Sequence, residues 1–224
     1  MKTAIITGSS RGIGLSTVNL LLEKGFKVAG WSRSGSPVKN DNFIDVKADV
    51  SKLGDVEKAL ETSVSFLGNK VDILVNNAGY GIQEPLLQSK PENFDGMLAT
   101  NVSGLYYCTR LIAPLMVEQK KGHIFNIASI AGTTGIETMG GYCASKFAVR
   151  GFSLSIFKEL RKFGIKVSCI NPGSVNTNFF DDFAEVTADD SMMHPNDIAQ
   201  SIWYAYDSRA NFHVVELELR PLSR

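Results

Sequence analysis

The chain has 224 residues, a length at which one large domain can bury a sizeable core without disulfides or metals. Hydrophobic residues make up 44% and charged residues 21%, which excludes a disordered, collagen-like or coiled-coil protein. Lys plus Arg equals Asp plus Glu, with 23 of each, so the chain lacks the basic excess of proteins that bind nucleic acid.

Cysteine usage and apolar runs point to the cytoplasm. Cys108, Cys143 and Cys169 are odd in number and far apart, as expected of reduced thiols in a cytosolic protein. The longest apolar run, Leu111–Val117, is short and interrupted by a proline, so we expect no membrane span. A strand pattern follows Met1–Thr3 directly, and we therefore expect no signal peptide.

Short apolar runs alternate with longer segments of helical period. In chain order, the predicted strands are Ala4–Ile6, Lys27–Trp31, Phe43–Val46, Val71–Val75, Ile124–Ile127 and Ile165–Ile170, and a helix is predicted from about Leu53 to Phe66. Continuous apolar strands separated by helices indicate a parallel sheet covered on both faces. We predict an α/β protein with a single-domain Rossmann-type doubly wound parallel sheet over residues 1–224, which binds ligands at the carboxyl ends of its strands.

A glycine-rich turn, Thr7–Gly14, joins the first predicted strand to the first helix. Its glycines let the backbone approach a pyrophosphate, and the amino end of the helix offers free N–H groups. The spacing G-x-x-x-G-x-G differs from the usual dinucleotide fingerprint, and a tight turn without a ligand is the alternative. The candidate cofactor-binding residues here are Gly8, Ser10, Arg11, Gly12, Ile13 and Gly14.

The second predicted strand ends in Trp31-Ser32-Arg33, with no acidic residue for the ribose hydroxyls of NAD. Arg33 can instead form a forked contact with a 2′-phosphate, and Arg11 can meet that phosphate from the other side. The alternative is that both arginines are solvated surface residues. We predict NADP(H) rather than NAD(H), with Ser32 and Arg33 among the residues that bind it.

Tyr142 and Lys146 are four residues apart on a predicted helix and therefore share one of its faces. A phenol has an ordinary pKa of about 10, and a cation held beside it favours the phenolate and lowers that pKa. Ser129 ends the fifth predicted strand, where its hydroxyl can support a carbonyl oxygen. A Tyr-x-x-x-Lys pair occurs often by chance, so its interpretation depends on the motifs around it.

Taken together, these motifs resemble those of the short-chain dehydrogenase/reductase family. The matching elements, in the family's order, are Thr7-Gly8-x-x-x-Gly12-Ile13-Gly14, Asp49-Val50, Asn76-Asn77-Ala78-Gly79, Asn101, Ser129, Tyr142-x-x-x-Lys146 and Pro172-Gly173-x-x-x-Thr177. They cover residues 3 to about 177. The resemblance implies a Rossmann fold and hydride transfer with NADP(H), as in the carbonyl reductase-like branch.

The resemblance also implies a role for each matching residue. Tyr142 is expected to protonate the carbonyl oxygen during reduction, and Ser129 to hold that oxygen. Lys146 is expected to bind the nicotinamide ribose and lower the pKa of Tyr142, while Asn101 supports a water chain that resupplies the proton. The further expected cofactor contacts are Asp49 and Val50 at the adenine, Asn77, Ala78 and Gly79 after the fourth strand, and Pro172, Gly173, Val175 and Thr177 at the nicotinamide.

The sequence departs from the family in two places. A polar loop of about ten residues replaces the helix that often lies between the second and third strands. The usual closing strand with its Asp-Gly-Gly turn is missing, and the ending Val-Val-Glu-Leu-Glu-Leu-Arg-Pro looks more like that of hydroxy-acid and small-carbonyl oxidoreductases.

We expect the substrate lid at residues 178–193, in the family's variable segment. Its apolar side chains, together with Tyr80, Ile136 and Met139, suggest a compact apolar pocket; they are Phe179, Phe180, Phe183, Met192 and Met193. Its acidic residues are expected on the outside and do not favour anionic substrates; they are Asp181, Asp182, Glu185, Asp189 and Asp190. Ordinary packing of a surface helix is the alternative.

These observations predict a cytoplasmic NADP(H)-dependent oxidoreductase that acts on a ketone, diketone, aldehyde or hydroxy acid. Two alternatives stay open: a 3-oxoacyl-(acyl-carrier-protein) reductase, and a catalytically idle regulatory protein that senses NADP. The scattered His123, His194 and His213 do not predict a metal site. The apolar stripe of the helix carrying Tyr142 predicts a homodimer or homotetramer, and we expect no nucleic-acid or membrane partner.

Overall fold

The computed structural model describes residues 1–181, 183 and 188–222. The strands are β1 (Thr3–Thr7), β2 (Lys27–Ser32), β3 (Phe43–Lys47), β4 (Ile73–Asn76), β5 (Gly122–Ile127), β6 (Ile165–Pro172) and β7 (Glu216–Leu219). The α-helices are α1 (Gly12–Glu23), α2 (Leu53–Leu67), α3 (Pro91–Leu98), α4 (Leu105–Gln119), α5 (Gly140–Leu160) and α6 (Pro195–Tyr206). These strands form one parallel sheet in the order β3-β2-β1-β4-β5-β6-β7, which confirms the predicted fold class.

Helices cover both faces of the sheet. Val56 of α2, Ile112 of α4 and Ile156 of α5 lie in the apolar core of one face, and Leu21 of α1 and Ile198 of α6 in that of the other. The central strands are therefore buried on both sides, which explains their continuous apolar sequences. Within the described residues, no helix is long and apolar enough to cross a membrane.

The fourth strand begins later than the sequence predicts, at Ile73 rather than Val71. The backbone N–H of Val71 donates to the side-chain oxygen of Gln119 (3.0 Å) instead of to a neighbouring strand. A carboxylate oxygen of Asp72 then accepts from the backbone N–H of Thr3 (2.8 Å). Side chains thus take two of the hydrogen bonds that a longer strand would make with backbone groups, while the backbone of Asp72 still bonds to that of Thr3 and His123.

The expectation that the closing strand is missing was wrong, although the Asp-Gly-Gly turn is absent. β7 pairs in parallel with β6. Its alternating Glu-Leu-Glu-Leu sequence is only partly buried, so it lacks the continuous apolar run of the other strands. A forked ion pair between Arg150 and Glu216, with N···O distances of 2.5 and 3.1 Å, ties β7 to α5.

The strand order places β1 between β2 and β4, so the chain reverses its direction of winding at β1 and β4. In open parallel sheets, ligands bind in the crevice outside the carboxyl ends of such strands. The glycine-rich turn follows β1, and Asn77-Ala78-Gly79 follows β4. The fold therefore brings two of the predicted cofactor-binding segments to one crevice.

A buried histidine lies at the opposite end of the sheet, near the start of β5. His123 Nε2 is 2.8 Å from Ser168 Oγ, and that hydroxyl donates its proton to the carbonyl oxygen of Val214. His123 Nε2 must therefore be the donor, and Nδ1 is left as a buried acceptor without a partner in the described residues. Burial lowers the pKa of His123 well below its usual value, and the charges of His213 and Lys166 lower it further.

This histidine predicts sensitivity to acid. Its folded-state pKa lies below the unfolded value of about 6.5, so protons bind preferentially to the unfolded chain. We expect the free energy of unfolding, measured by urea denaturation, to fall between about pH 6.5 and pH 5. His123→Gln should flatten this fall, whereas His194→Asn at an exposed helix cap should keep it. If the free energy of unfolding falls equally with pH in both variants, His123 is not the cause of the fall.

Candidate active site

The glycine-rich turn lies in the crevice, and its glycines are required by the backbone. Gly8 and Gly12 have φ angles of 69° and 56°, a region that other residues rarely adopt. A Cβ on Gly8 would lie 2.7 Å from Asn77 Nδ2, and one on Gly14 only 2.1 Å from the carbonyl oxygen of Gly8. Ser10, Arg11 and Ile13, the other predicted residues of the turn, are at least partly accessible.

The space above this turn suits a pyrophosphate. No side chain caps the amino end of α1 and its first turn has no acidic residue, so its free N–H groups and positive dipole are not satisfied locally. A Cβ on Gly12 would lie 3.2 Å from Thr177 Cγ2, so the turn after β1 meets the loop after β6. The chain's own residues therefore fit a dinucleotide, with a narrow cradle of backbone donors.

The segment after β4 is hydrogen-bonded to the glycine-rich turn. Asn77 Nδ2 donates to the carbonyl oxygens of Thr7 (3.0 Å) and Gly8 (3.2 Å). The backbone N–H groups of Asn77 and Ala78 both donate to Thr7 Oγ1, each at 3.0 Å. Asn77 and Ala78 thus shape the wall of the crevice by holding the turn.

The end of β2 carries the residues expected to distinguish NADP from NAD. Ser32 is buried, and its Oγ accepts from the backbone N–H of Gly35 (3.0 Å), which folds the start of the following loop. Arg33 and Arg11 are exposed, and neither forms an ion pair within the described residues. Both guanidinium groups are therefore available to an anion from solvent.

Asp49 lies after β3 with the buried Val50 beside it. One carboxylate oxygen accepts from the backbone N–H (3.1 Å) and hydroxyl (2.7 Å) of Ser51. Burial raises the pKa of Asp49, but these hydrogen bonds and the charges of Lys52 and Arg33 outweigh it and lower the pKa overall. The Asp49 carboxylate is thus an ionised hydrogen-bond acceptor, and it lies close enough to Arg33 for the charge of Arg33 to lower its pKa.

The loop after β6 connects the cofactor crevice to the predicted lid. Gly173, which follows Pro172 at the end of β6, donates its N–H to the carbonyl oxygen of Leu219 in β7 (2.7 Å). Val175 is buried and forms an isolated parallel bridge with Met193. Thr177 Oγ1 accepts from the N–H of Phe179 (3.2 Å) and so caps the short helix Asn178–Phe180.

The predicted catalytic residues converge at the carboxyl ends of β4 and β5. Tyr142 and Lys146 of α5 are both buried, and the Ser129 hydroxyl acts on the Tyr142 phenol by lowering its pKa. Ser129 Oγ also accepts from the N–H of Ala131 (3.1 Å). Lys146 Nζ donates to the carbonyl oxygen of Ile127 (2.8 Å) and lies 5.6 Å from the centre of the Tyr142 ring.

The expected lowering of the Tyr142 pKa by Lys146 does not occur in this structure. Burial raises the pKa of Tyr142 to about 12, and only the hydrogen bond with Ser129 opposes the rise. Burial also lowers the pKa of Lys146 to about 8. With a pKa of about 8, Lys146 still carries its proton at neutral pH.

Asn101 lies in a single π-helical turn, Ala99–Gly104, between α3 and α4. Its Oδ1 accepts from the N–H of Tyr80 (3.0 Å), and its Nδ2 donates to the carbonyl oxygen of Tyr80 (2.9 Å) and to Ser145 Oγ (2.9 Å). A Cβ on Gly79 would lie 3.0 Å from Asn101 Oδ1 and 3.7 Å from Lys146 Nζ, so the glycine allows both side chains to approach the segment after β4 closely.

Sequence analysis missed Ser145, which lies between the two predicted catalytic residues of α5. Its hydroxyl accepts from Asn101 and donates to the carbonyl oxygen of Tyr142 (2.7 Å), which links the π-helical turn to the helix of the phenol. The sequence shows only a serine between Tyr142 and Lys146. Such a serine has no distinguishing spacing of its own.

Several of the apolar residues predicted for the pocket pack together as a cluster, but the membership of this cluster differs from the prediction. A cluster beside Tyr142 includes Met97, Met139, Tyr80, Phe179 and Phe183. Ile136 is exposed and does not belong to this cluster, and Met193 packs in the core below the sheet. Met192 is buried and Phe180 contacts the other two lid phenylalanines, while Asp182 and Glu185 lie outside the described residues.

Comparison with known proteins shows the family of the chain. The model of the short chain dehydrogenase family matches residues 2–187. An uncharacterised oxidoreductase of Staphylococcus aureus is 32% identical, over 99% of this chain and 97% of the relative. Within the described residues, no group of three His, Cys, Asp or Glu converges as a metal site.

Two solved structures share the fold over almost their whole length. The closed form of a serine dehydrogenase complexed with NADP+ has a TM-score of 0.89 and 28% identity, with 99% of this chain and 96% of that one covered. A 3-ketoacyl-(acyl-carrier-protein) reductase of Brucella melitensis complexed with NADH has a TM-score of 0.90 and 29% identity, with 97% and 96% covered. The chain is an oxidoreductase fold of the short-chain type, and it belongs to the short chain dehydrogenase family.

Proposed function

We propose that the protein is a cytoplasmic NADP(H)-dependent reductase that interconverts a carbonyl compound and its alcohol. The observation that carries this proposal is the convergence of the buried Tyr142, Ser129 and Lys146, at the crevice where the turn at Gly12 meets Thr177. The available guanidinium groups after β1 and β2 support NADP(H), as does the NADP+-bound serine dehydrogenase. Unpaired, buried cysteines support the cytoplasm.

When held at the glycine-rich turn after β1, NADP(H) would supply the hydride for the proposed reduction of a carbonyl carbon. Tyr142 donates its phenolic proton to the carbonyl oxygen, and Ser129 donates a hydrogen bond to it, so the alcohol forms without a free alkoxide. Both donors are held in a buried site, where they act on charge as it develops. Lys146, with a pKa of about 8, can hold and release a proton near neutral pH and so reprotonate Tyr142.

A 3-oxoacyl-(acyl-carrier-protein) reductase is the second candidate, because the Brucella melitensis protein of that name shares the fold. It predicts turnover of acetoacetyl thioesters. An NADP-sensing protein without catalysis is a third candidate, and it is disfavoured because Asn101, Ser129, Tyr142 and Lys146 are all present.

The proposal is tested by the loss of NADPH absorbance, and separately of NADH absorbance, over a carbonyl panel. The panel contains small diketones, aromatic aldehydes, 3-oxo acids and an acetoacetyl thioester. Turnover of a ketone or aldehyde with NADPH is the expected result, and turnover of the thioester alone would favour the second candidate. Tight NADPH binding without any turnover would contradict the proposal and favour the sensor.

Arg33→Ala should change cofactor choice. The loss of charge-assisted hydrogen bonds to the 2′-phosphate should raise the KM for NADPH by about 10- to 100-fold and leave that for NADH almost unchanged. Arg209→Ala, which removes an exposed arginine beyond α6, should change neither constant. Equal effects of Arg33→Ala on both cofactors would show that Arg33 does not contact the phosphate.

The proposal includes a homodimer or homotetramer formed through α5. Ala144, Phe147, Ala148 and Gly151 lie at helical spacing and are exposed, and Tyr106 of the neighbouring α4 is 46% exposed. This apolar strip is supported as an interface by its position on two adjacent helices. A monomer mass by light scattering at micromolar concentration would contradict it.

A further inference from the structure

We infer that the substrate is an uncharged carbonyl compound with an apolar or aromatic substituent, and that carboxylates are rejected. This inference rests on the proposed function and narrows its substrate class. It excludes two kinds of substrate that the fold alone allows, namely hydroxy acids and amino acids such as serine. The contacts of Phe179 and the charges around Tyr142 carry it.

Phe179 lies directly against the proposed catalytic phenol. Its ring centre is 5.2 Å from that of Tyr142, and it also contacts Phe180 (5.2 Å) and Phe183 (5.1 Å). Gly81 allows this approach, because a Cβ there would lie 2.8 Å from Phe179 Cζ and 2.9 Å from Tyr142 Cδ2. A substituent of the substrate next to the phenol would therefore contact aromatic carbon.

The rest of the cluster continues this apolar surface. Met97 and Met139 are buried, and Ile82 packs against them. Thioether and aliphatic side chains adapt to the shape of an apolar group and offer no strong hydrogen bonds. A substrate side chain in this cluster would gain by leaving water, whereas an ionised group would lose its hydration without compensation.

The segments that build this cluster contain no cation. Residues 79–84, 130–143 and 173–181 contain no Lys, Arg or His, and their charged members are Glu84, Glu137 and Asp181. Lys146 is the only Lys or Arg among the buried residues described, and its Nζ is bonded to Ile127. The described residues of the site therefore provide no forked cationic partner for a carboxylate.

Apart from Lys146, the nearest flanking cation in the sequence is Lys90, and it is far enough from the cluster to be screened. Lys90 precedes α3 and is exposed, while Met97 of the cluster lies near the other end of that helix. At 1.5 Å per residue, the two positions are roughly 10 Å apart along the helix axis. A solvated ammonium at that distance is largely screened from the pocket.

Two matched ketone pairs test the inference with the intact enzyme and NADPH. Methyl levulinate and levulinate differ in charge at a position remote from the ketone, and benzylacetone and butanone differ by an apolar ring. We expect kcat/KM to be at least about 100-fold higher for the ester than for the acid, and at least about tenfold higher for benzylacetone than for butanone.

Phe179→Arg places a cation at the proposed position of contact. It should lower the ratio of kcat/KM for ester over acid by at least about tenfold, because the carboxylate then gains a partner. Phe163→Arg makes the same change in charge at an exposed site beyond α5 and should leave the ratio within about twofold. Phe179→Leu, which stays apolar, should keep the ester preference and reduce the preference for benzylacetone.

Circular dichroism and NADPH binding by calorimetry first establish that each variant is folded. Wild-type turnover of levulinate at the rate of its ester would overturn the inference, as would an unchanged ratio in folded Phe179→Arg. Failure of the proposed function gives a different result. In that case the wild type turns over no member of either pair, or of the carbonyl panel, with NADPH.

Discussion

Tyr142→Phe is expected to lower kcat for carbonyl reduction by on the order of 1,000-fold. The variant lacks the only proton that the proposed mechanism delivers to the carbonyl oxygen. It keeps the ring that packs on Phe179 at 5.2 Å and loses only the hydroxyl, whose pKa Ser129 lowers. The dissociation constant for NADPH, measured by calorimetry, should therefore change by less than about twofold.

A matched control is available in Tyr206 of α6. Burial also raises the pKa of this phenol to about 12, with the charges of Asp72 and Asp207 raising it further. Tyr206 contacts Phe26 and Trp203 in the core and lies outside the crevice. Tyr206→Phe should keep kcat within about twofold. Retained activity in Tyr142→Phe would remove Tyr142 from the role of the acid.

The motifs of the site could be predicted because each is local along the chain. The glycine-rich turn needs positive φ angles at Gly8 and Gly12, and the spacing of Tyr142 and Lys146 follows from the period of one helix. Glycine residues and a four-residue helical spacing can both be recognised in a short stretch of sequence. These residues could therefore be assigned together before the fold was known.

The contacts that hold the site residues in place could not be predicted in this way. Lys146 is held by the backbone carbonyl of Ile127, and every residue type provides such a carbonyl. The apolar residues of the lid belong to two different cores, since Phe179 faces Tyr142 whereas Met193 packs below the sheet. Apolar character alone does not distinguish these two surroundings.

The effect of burial on charge was the largest difference from expectation. A cation four residues from a tyrosine suggests a lowered phenol pKa, but both side chains are buried and burial acts against both charges. The ionisation of this pair therefore depends on what enters the crevice beside them. It is not a fixed property of the Tyr-x-x-x-Lys spacing.

Lys146→Met tests this interpretation, because it should change activity and stability in opposite directions. Activity should be lost and NADPH binding weakened, since the ammonium proposed to bind the ribose and reprotonate Tyr142 is gone. The unliganded protein should become more stable at pH 7. The variant gains stability because it no longer buries a charge. Burial of that charge is unfavourable and lowers the pKa of Lys146 from 10.5 to about 8.

The size and pH dependence of this gain follow from the same pKa. The folded-state pKa lies below the unfolded one, so burying the charged lysine costs about 3 kcal/mol at pH values below about 8. Loss of the hydrogen bond to Ile127 offsets about 1 kcal/mol of this, which leaves a net gain of about 2 kcal/mol. As pH rises from 8 towards 10.5, Lys146 of the folded wild type becomes neutral and its burial is no longer unfavourable. The difference in the free energy of unfolding between the two proteins should therefore shrink.

The experiment is urea unfolding of the two proteins, without cofactor, at pH values between about 7 and 10. Lys158→Met is the control, because this lysine is exposed on the same helix and its removal should give no comparable gain. A Lys146→Met protein less stable than the wild type at pH 7 would show that the ammonium stabilises the free fold. A stability difference that does not change as pH rises from 8 towards 10.5 would contradict the lowered pKa of Lys146, and with it the proton relay near neutral pH.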